Sequence, residues 1–288
     1  MQTLELWHQA GSIFDFGGHS IYYQRAGHGP KLVLIHGFPT ASWDWHKIWS
    51  ALVARFDVLA FDLLGFGFSA KPPQHTYSMA KQADLVESLT QHLGFDACHV
   101  LAHDYGDTVV QELLARQQEG QGKLQMHSVT LLNGGIFFDA AKPRPIQKLL
   151  RSPIGGLVAA LLNERRFRTS FCKVFAPATQ PTQEELAQYW QLVSHDDGHR
   201  IAHRLSRYLD ERTRYMDRWR SAIVESPAPL QFVAGDVDPV SGQSMIDRYR
   251  ELLPKGQLMV LHGVGHYPQL EAPRATLQAL FRFIEGAG

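Results

Sequence analysis

The segment CHVLAHDYG, residues 98–106, decides the fold, because in it a buried strand turns directly into a helix. Residues 98–102 form a short apolar run, and residues 106–116 follow with a helical pattern. Small residues at Ala102 and Gly106 allow strand and helix to approach closely around a strained turn. Asp104 stands at the centre, where the G-x-S-x-G motif places a nucleophilic serine. An Asp at a strand end can also be a helix N-cap, so this segment alone leaves both roles open.

Strand and helix patterns alternate on both sides of this segment. The predicted strands cover residues 12–16, 20–25, 31–36, 56–62, 98–102, 128–132, 230–234 and 257–261. The predicted helices cover residues 43–54, 78–93, 106–116, 241–253 and 273–284. This alternation predicts an α/β fold with a mostly parallel, eight-stranded sheet and helices on both faces.

The alternation is interrupted between residues 136 and 220, where helical patches and five prolines occur without a clear strand. We therefore predict a core of residues 1–135 and 221–288 and a helical cap insertion of residues 136–220. The insertion is basic, with 15 Lys and Arg against 9 Asp and Glu between Phe137 and Arg220. A solvated helical surface is the ordinary interpretation, and attraction of an anionic substrate or a membrane surface is the alternative.

Three further motifs follow strands of the predicted sheet. His36-Gly-Phe-Pro39 lies where an oxyanion-hole loop belongs, so the backbone N–H groups of Phe38 and Tyr105 are the predicted oxyanion donors. Gly235-Asp-Val-Asp-Pro239 supplies an acid at a strand end, which can orient an imidazole. His266 follows on a glycine-flanked loop. The order nucleophile, acid, base predicts a catalytic triad.

The composition excludes other classes of protein. The formal net charge is zero, whereas a nucleic-acid binder usually has a basic excess. Two cysteines without a CxxC motif do not indicate a disulfide framework or a metal site. The first 18 residues lack the pattern of a signal peptide, and no apolar stretch reaches the length of a membrane span. We expect a cytoplasmic protein, and the oligomeric state cannot be read from the sequence.

Together these motifs resemble the α/β-hydrolase superfamily, and most closely its epoxide hydrolase and haloalkane dehalogenase branch. The matching segments are HGFP (36–39), DLLGFGFS (62–69), HDYG (103–106), GDVDP (235–239) and GHYPQLEAP (265–273). More narrowly, HDYGDTVVQELLAR (103–116) and HYPQLEAP (266–273) are similar to the mesoderm-specific transcript proteins. The resemblance covers about residues 18–284 but is weak across the insertion. In the family pattern the acid lies three residues after the strand-end glycine, which selects Asp238 over Asp236.

A carboxylate nucleophile predicts a particular chemistry. Displacement at an sp³ carbon leaves a stable alkyl ester on Asp104, which a water activated by His266 can hydrolyse. Such a reaction needs no metal and no organic cofactor, and it suits a small, apolar substrate. The resemblance favours epoxide hydrolysis over dehalogenation. Dehalogenases of this family place a halide-binding Trp or Asn at the positions that Phe38 and Tyr105 occupy in this chain. Dehalogenation, another hydrolysis with an unknown substrate, and a non-catalytic interaction protein are the alternatives.

Epoxide opening also needs a proton donor, and the resemblance places a tyrosine in the last cap helix. Tyr208 lies 30 residues before Asp238 and is the candidate, although it can equally be an ordinary helix residue. The other predicted pocket residues are His36, Pro39, Tyr189 and Tyr215.

Overall fold

An eight-stranded sheet runs through the protein in the computed structural model, which describes residues 3–287. Its strands are β1 (Ser12–Phe16), β2 (His19–Ala26), β3 (Lys31–Ile35), β4 (Asp57–Phe61), β5 (Ala97–His103), β6 (Gln125–Leu132), β7 (Leu230–Gly235) and β8 (Gln257–Leu261). They are arranged in the order β1-β2-β4-β3-β5-β6-β7-β8. The pairs β1/β2 and β2/β4 are antiparallel, and all other pairs are parallel. The predicted fold class and strand number are confirmed.

Helices cover both faces of this sheet. The core helices are α1 (Leu4–Gln9), α2 (Trp49–Val53), α3 (Met79–His92), α4 (Tyr105–Gln118), α11 (Met216–Val224), α12 (Gln243–Leu252), α13 (Pro268–Glu271) and α14 (Pro273–Ala287). One hydrophobic core contains side chains of α3, α4, α11 and α12, and a second core on the opposite face contains side chains of α1, α2, α13 and α14.

The strands read as unbroken apolar runs because both of their faces are covered. In β3, Val33 and Ile35 belong to the first core, whereas Leu32 and Leu34 belong to the second. All four side chains are fully buried. The period of two along a strand thus divides one apolar run between two cores.

One predicted helix differs from the structure, and one observed helix was not predicted. The helix predicted for residues 43–54 is divided into a 3₁₀ turn, Ser42–Trp45, and the short helix α2. Helix α1 was not predicted, since six residues are too few to show a helical period. This helix is stabilised by Thr3, whose side chain accepts a hydrogen bond from the N–H of Leu6, and by Trp7, which is buried in the core.

The cap lies between β6 and α11. It contains α5 (Pro145–Leu150), α6 (Gly155–Ala160), α7 (Glu164–Cys172), α8 (Gln183–Ser194), α9 (Ala202–Leu205) and α10 (Tyr208–Arg214). The predicted boundary at residue 220 falls inside α11, which packs on α4 of the core, and Trp219 Nε1 donates to Glu112 at 2.9 Å. By its contacts α11 therefore belongs to the core. Within residues 3–287, no helix has the length and apolarity needed to cross a bilayer.

Candidate active site

Asp104 occupies the turn between β5 and α4 in a backbone conformation that non-glycine residues rarely adopt. Its φ is 48° and its ψ is −100°. Such strain persists only where the surrounding structure enforces it, and it is common at functional sites. The Asp104 side chain makes no N-cap hydrogen bond to α4. The capping role that the sequence left open is therefore not the one this carboxylate plays.

The tight turn explains the glycine at the end of the motif. A Cβ on Gly106 would lie 2.3 Å from the carbonyl oxygen of Ile35 in the neighbouring strand. A Cβ on Gly37 would likewise lie 2.7 Å from Nδ1 of His103. The loop that contains Gly37 and the elbow of residues 102–106 can therefore pack closely only because Gly37 and Gly106 lack a side chain.

The backbone around Phe38 faces the Asp104 carboxylate. The Phe38 N–H donates to Asp104 Oδ2 at 3.2 Å. Tyr105 is the first residue of α4, so its N–H has no acceptor within the helix and lies at the same helix terminus. His36 supports this loop from behind, because its Nε2 accepts a hydrogen bond from the N–H of Leu63 at 3.0 Å.

His266 and Asp238 form a buried pair beside the elbow. His266 Nδ1 lies 2.8 Å from Asp238 Oδ2. Asp238 also accepts from Asn133 Nδ2 at 2.8 Å and from Ser241 Oγ at 2.6 Å, so its carboxylate is held in one orientation. Asp236 instead accepts from His262 and the Gly263 N–H, each at 2.8 Å. Asp238, not Asp236, contacts the candidate base.

The electrostatics of the pair favour a charged imidazole in the resting protein. Burial acts to lower the pKa of His266, but nearby carboxylates, chiefly Asp238 and then Asp104, raise it to about 9. Burial acts to raise the pKa of Asp238, but His266 and the Ser241 hydroxyl hold it below its usual value. Removal of the Asp104 charge would lower the pKa of His266, and the neutral ring could then accept a proton.

His103 fixes the backbone of the His266 loop. Burial holds the pKa of His103 well below its usual value, so its ring is neutral. Its Nε2 lies 2.8 Å from the carbonyl oxygen of His266, and because a carbonyl only accepts, Nε2 carries the hydrogen. The residue before the candidate nucleophile thus positions the candidate base.

Glu271 attaches the same loop to the cap. Its carboxylate accepts from the N–H groups of Gly265 at 3.0 Å and Tyr267 at 2.9 Å. It also accepts from the cap, through the Ala176 N–H at 2.9 Å and Thr179 Oγ1 at 2.6 Å. Sequence reasoning did not assign this role to Glu271, although the residue lies in the family-like segment QLEAP.

Asp104 and His266 both line a cavity of about 460 Å³ between core and cap. Most of its wall is apolar, and the core contributes Phe38, Pro39 and Tyr267. The cap contributes apolar side chains from α5 to α9, among them Leu149, Leu150, Leu161, Phe167, Phe171 and Trp190. Such a cavity suits an apolar ligand whose reacting carbon lies against the carboxylate.

Three of the predicted pocket residues do not line this cavity. Tyr189 is buried against Phe171 in the second hydrophobic core, Tyr215 packs against Trp219, and His36 lies behind the oxyanion loop. Each is directed into protein because its ring completes a hydrophobic contact or braces a loop. Pro39 does line the cavity, as predicted.

Tyr208 also does not line the cavity but is buried at the base of the cap, beside the elbow. Its ring contacts those of Tyr105 and Phe38, with centroids 4.9 and 6.1 Å apart. Gln147, which lines the cavity, donates to Tyr208 Oη at 3.2 Å. Burial and then the Asp104 charge raise the pKa of Tyr208 above its usual value, so the phenol keeps its proton.

Arg212 of α10 is a site residue that the sequence did not indicate. Its guanidinium is 97% buried, donates to the Asp104 carbonyl oxygen at 3.0 Å and to Thr108 Oγ1 at 2.8 Å, and lies 3.8 Å from Asp104 Oδ1. It also lies over the Tyr208 ring, 4.7 Å from its centroid. Arg212 is one of many arginines in a basic insertion, so no local pattern distinguishes it.

The comparisons with known proteins agree with this architecture. A model of the alpha/beta hydrolase fold matches residues 30–273, and the chain belongs to that family. Within the family it is 40% identical to mesoderm-specific transcript protein of Mus musculus over 294 residues, which cover 98% of this chain and 88% of that protein. It is 41% identical to putative hydrolase LipZ of Mycobacterium tuberculosis over 259 residues, or 89% of this chain and 90% of that protein.

Two further similarities are partial or structural. Over 107 residues, 37% of the chain, it is 37% identical to a soluble epoxide hydrolase of Corynebacterium, of which the match covers 36%. Haloalkane dehalogenase DbeA of Bradyrhizobium elkani superposes with a TM-score of 0.80 at 20% identity, over 96% of this chain and 98% of that protein. The second likeness shows the fold alone.

No group of three His, Cys, Asp or Glu side chains that could hold a metal ion occurs among the described residues.

Proposed function

We propose that this member of the α/β-hydrolase family uses Asp104 as a covalent nucleophile. The carboxylate attacks an sp³ carbon and forms an alkyl ester, which a water activated by His266 and Asp238 then cleaves. The substrate of this reaction is a small apolar molecule, in keeping with the largely apolar cavity.

The position of Asp104 Oδ2 carries this proposal. In a serine hydrolase the oxyanion donors bind an oxygen of the substrate. Here the Phe38 N–H is engaged by the protein's own carboxylate, at 3.2 Å from Oδ2. A substrate carbonyl would have to displace that oxygen. With Oδ2 held in this way, Oδ1 is the oxygen available for attack, and Oδ2 becomes the ester carbonyl oxygen, already next to the donors that its later negative charge needs.

The charges around His266 fit two successive steps. In the first step the Asp104–carbon bond forms, the leaving group departs with its electron pair, and Asp104 loses its charge. That charge is one of the groups that raise the pKa of His266 to about 9, so esterification lowers the pKa. In the second step neutral His266 takes a proton from water, and the resulting hydroxide attacks the ester carbon. As the oxyanion collapses, His266 returns this proton to the leaving oxygen, which releases the alcohol. The Asp104 carboxyl, which now holds the oxygen and the second proton of the water, loses that proton and is a carboxylate again.

We further propose that the leaving group is the oxygen of an epoxide, which stays on the substrate as the ring opens. The developing alkoxide takes its proton from Tyr208, and hydrolysis of the ester then releases a diol. The contact from Gln147 supports this role, because Tyr208 Oη accepts that bond and keeps its own hydrogen for donation. Among the described residues, no acceptor for that hydrogen lies within hydrogen-bond distance.

Intact mass spectrometry of the His266→Gln variant tests the covalent step. After incubation with a panel of apolar epoxides, the variant should gain the full mass of one epoxide, because ring opening expels nothing. A haloalkane would add only its alkyl group, since the halide leaves. The His266→Gln, Asp104→Asn double variant is the control and should gain no mass. If His266→Gln remains unmodified by both panels while the wild type turns over one of these compounds, the proposed nucleophile is wrong.

Single-turnover kinetics test the proton donor. Tyr208→Phe should slow formation of the alkyl-enzyme far more than its hydrolysis, because the phenol acts only while the ring opens. Tyr215→Phe, another cap tyrosine but one that packs against Trp219 rather than beside the elbow, is the matched control. A Tyr208→Phe variant that forms the alkyl-enzyme at the wild-type rate would exclude Tyr208 as the donor.

A further inference from the structure

The positive charge of the protein is concentrated in one part of the cap. Residues 142–173 contain eight Lys and Arg and one acid, Glu164, which gives this segment a formal charge of +7. The whole chain has a net charge of zero, so all remaining residues together carry −7. The only acid in the segment, Glu164, pairs with Arg168 at 2.5 Å, and Arg151 pairs with Asp210 outside the segment. The other six cations form no ion pair within the described part of the chain: Lys142, Arg144, Lys148, Arg165, Arg166 and Lys173.

The same segment exposes large aliphatic side chains. Leu149, Ile154, Leu157 and Leu161, the apolar ridge, are 43%, 55%, 62% and 54% exposed. They lie on α5, on α6 and immediately next to these helices, whereas Leu150 and Ala159 on the opposite side are buried in a small cluster with Ala202. The inner face of this helix pair is thus covered by the cap, and its outer face is apolar. Exposed apolar patches of this kind commonly mark interaction surfaces.

The cavity opens within this surface. Leu149 and Leu161 belong both to the apolar ridge and to the cavity wall, so the wall is continuous with the exposed surface there. Arg144 and Arg166 also line the cavity, and with Arg165 and Lys173 they line a neighbouring groove that contains no acidic residue. The opening is therefore bounded by aliphatic side chains on one side and by cations on the other.

We propose that this face of the cap docks on the surface of an anionic lipid bilayer and takes its apolar substrate from the lipid. Aliphatic side chains that enter the acyl boundary while flanking Lys and Arg meet anionic head groups are the pattern of interfacial binding. A second copy of the chain is a poorer occupant, because it would bring one +7 segment against another. The docking stands on the charge and exposure of the cap, and only the uptake of substrate rests on the proposed function.

Vesicle flotation tests the docking without any turnover. The wild type should float with phosphatidylcholine vesicles that contain about 30% phosphatidylserine and bind pure phosphatidylcholine at least about tenfold more weakly. Leu157→Asp should weaken binding to the anionic vesicles at least about tenfold, because it places a charge in the apolar ridge. Ile13→Asp is the matched control, since Ile13 on β1 is 61% exposed, and it should bind like the wild type. Arg165→Glu, a second variant at an exposed position, should also weaken binding.

Three outcomes would contradict docking on an anionic bilayer. Equal binding of the wild type to both vesicle types would remove the role of the cations, and unchanged binding of a folded Leu157→Asp variant would remove the role of the ridge. A wild-type dimer in sedimentation that Leu157→Asp makes monomeric would show that a second copy covers this face. The adduct experiment with His266→Gln needs no vesicles, so loss of docking and loss of the covalent mechanism are measured separately.

Substrate uptake has its own readout. In the His266→Gln variant, adduct formation by a long-chain epoxide held in vesicles should be at least about tenfold faster with anionic than with zwitterionic lipid. A short, water-soluble epoxide should react at the same rate with both. Equal rates for the long-chain epoxide would contradict uptake from the bilayer.

Discussion

Replacement of Arg212 by methionine should loosen the cap from the nucleophile elbow. In the native protein the guanidinium is 97% buried and donates two hydrogen bonds, to the Asp104 carbonyl oxygen at 3.0 Å and to Thr108 at 2.8 Å. Hydrogen bonds to charged groups contribute roughly 1.5–3 kcal/mol each, and contact of the cation with a ring about 0.5–2 kcal/mol. Methionine keeps part of the buried volume. We therefore expect the free energy of unfolding to fall by about 3–5 kcal/mol, as when one partner of a buried pair is removed.

The same substitution should slow alkylation in molecules that remain folded. Arg212 fixes the carbonyl of Asp104 itself, and a displacement of about 1 Å in a reacting group can reduce the rate about 100-fold. Arg212→Lys should recover little of this loss, because an ammonium group cannot reproduce the two-pronged geometry of the guanidinium. The cap would thus act on the chemistry through a side chain that does not line the cavity.

Urea denaturation and adduct formation in the His266→Gln background measure the two effects. Arg214→Met is the matched control, because Arg214 lies on the same helix but is exposed, with its guanidinium over the Tyr215 ring. It should change the free energy of unfolding by less than about 0.5 kcal/mol, as is usual for surface substitutions. If Arg212→Met lowers the free energy of unfolding by less than about 1 kcal/mol and the variant is alkylated at the wild-type rate, the buried contacts of Arg212 contribute neither to stability nor to alkylation.

Three further outcomes are expected. Hydrolysis of the alkyl-enzyme should accelerate as the pH rises, because the reacting form of His266 is neutral. The midpoint of this pH profile should lie below 9, since the ester has removed the Asp104 charge that helps to raise the pKa of His266 to about 9. Quenched-flow measurements that find slower hydrolysis at higher pH would contradict this. Asp238→Asn should slow the same step, whereas Asp236→Asn, which alters the contacts with His262 and the Gly263 N–H, should not. The reverse result in single-turnover assays would exchange their roles. Gly106→Ala should lower the free energy of unfolding by about 1–3 kcal/mol, because its Cβ would lie 2.3 Å from a β3 carbonyl oxygen; an unchanged urea midpoint would show that the elbow can relax.

Much of the fold was predictable because its signals are local. Short apolar runs, turn glycines and amphipathic helices can each be recognised within a few consecutive residues. All eight strands were predicted within a few residues of their observed bounds. The elbow, the oxyanion loop and the His266 loop were predictable for the same reason, since each lies at the end of a strand. The ends of parallel strands meet at one edge of a sheet, so the order of the motifs also predicted their proximity.

The cap was not predictable in this way, because its decisive contacts join residues far apart in the chain. Arg212 and Asp104 are 108 residues apart, and the sequence around Arg212 contains several arginines with the same local pattern. Tyr208 was the predicted donor, and Tyr189 and Tyr215 were predicted pocket residues. Only packing decided that Tyr208 lies beside the elbow while the other two lie elsewhere. The sequence by itself determined the family, the sheet and the candidate triad through short-range patterns. The tertiary structure alone decided which cap side chains reach Asp104 and where the apolar ridge lies, because both depend on how separate helices pack.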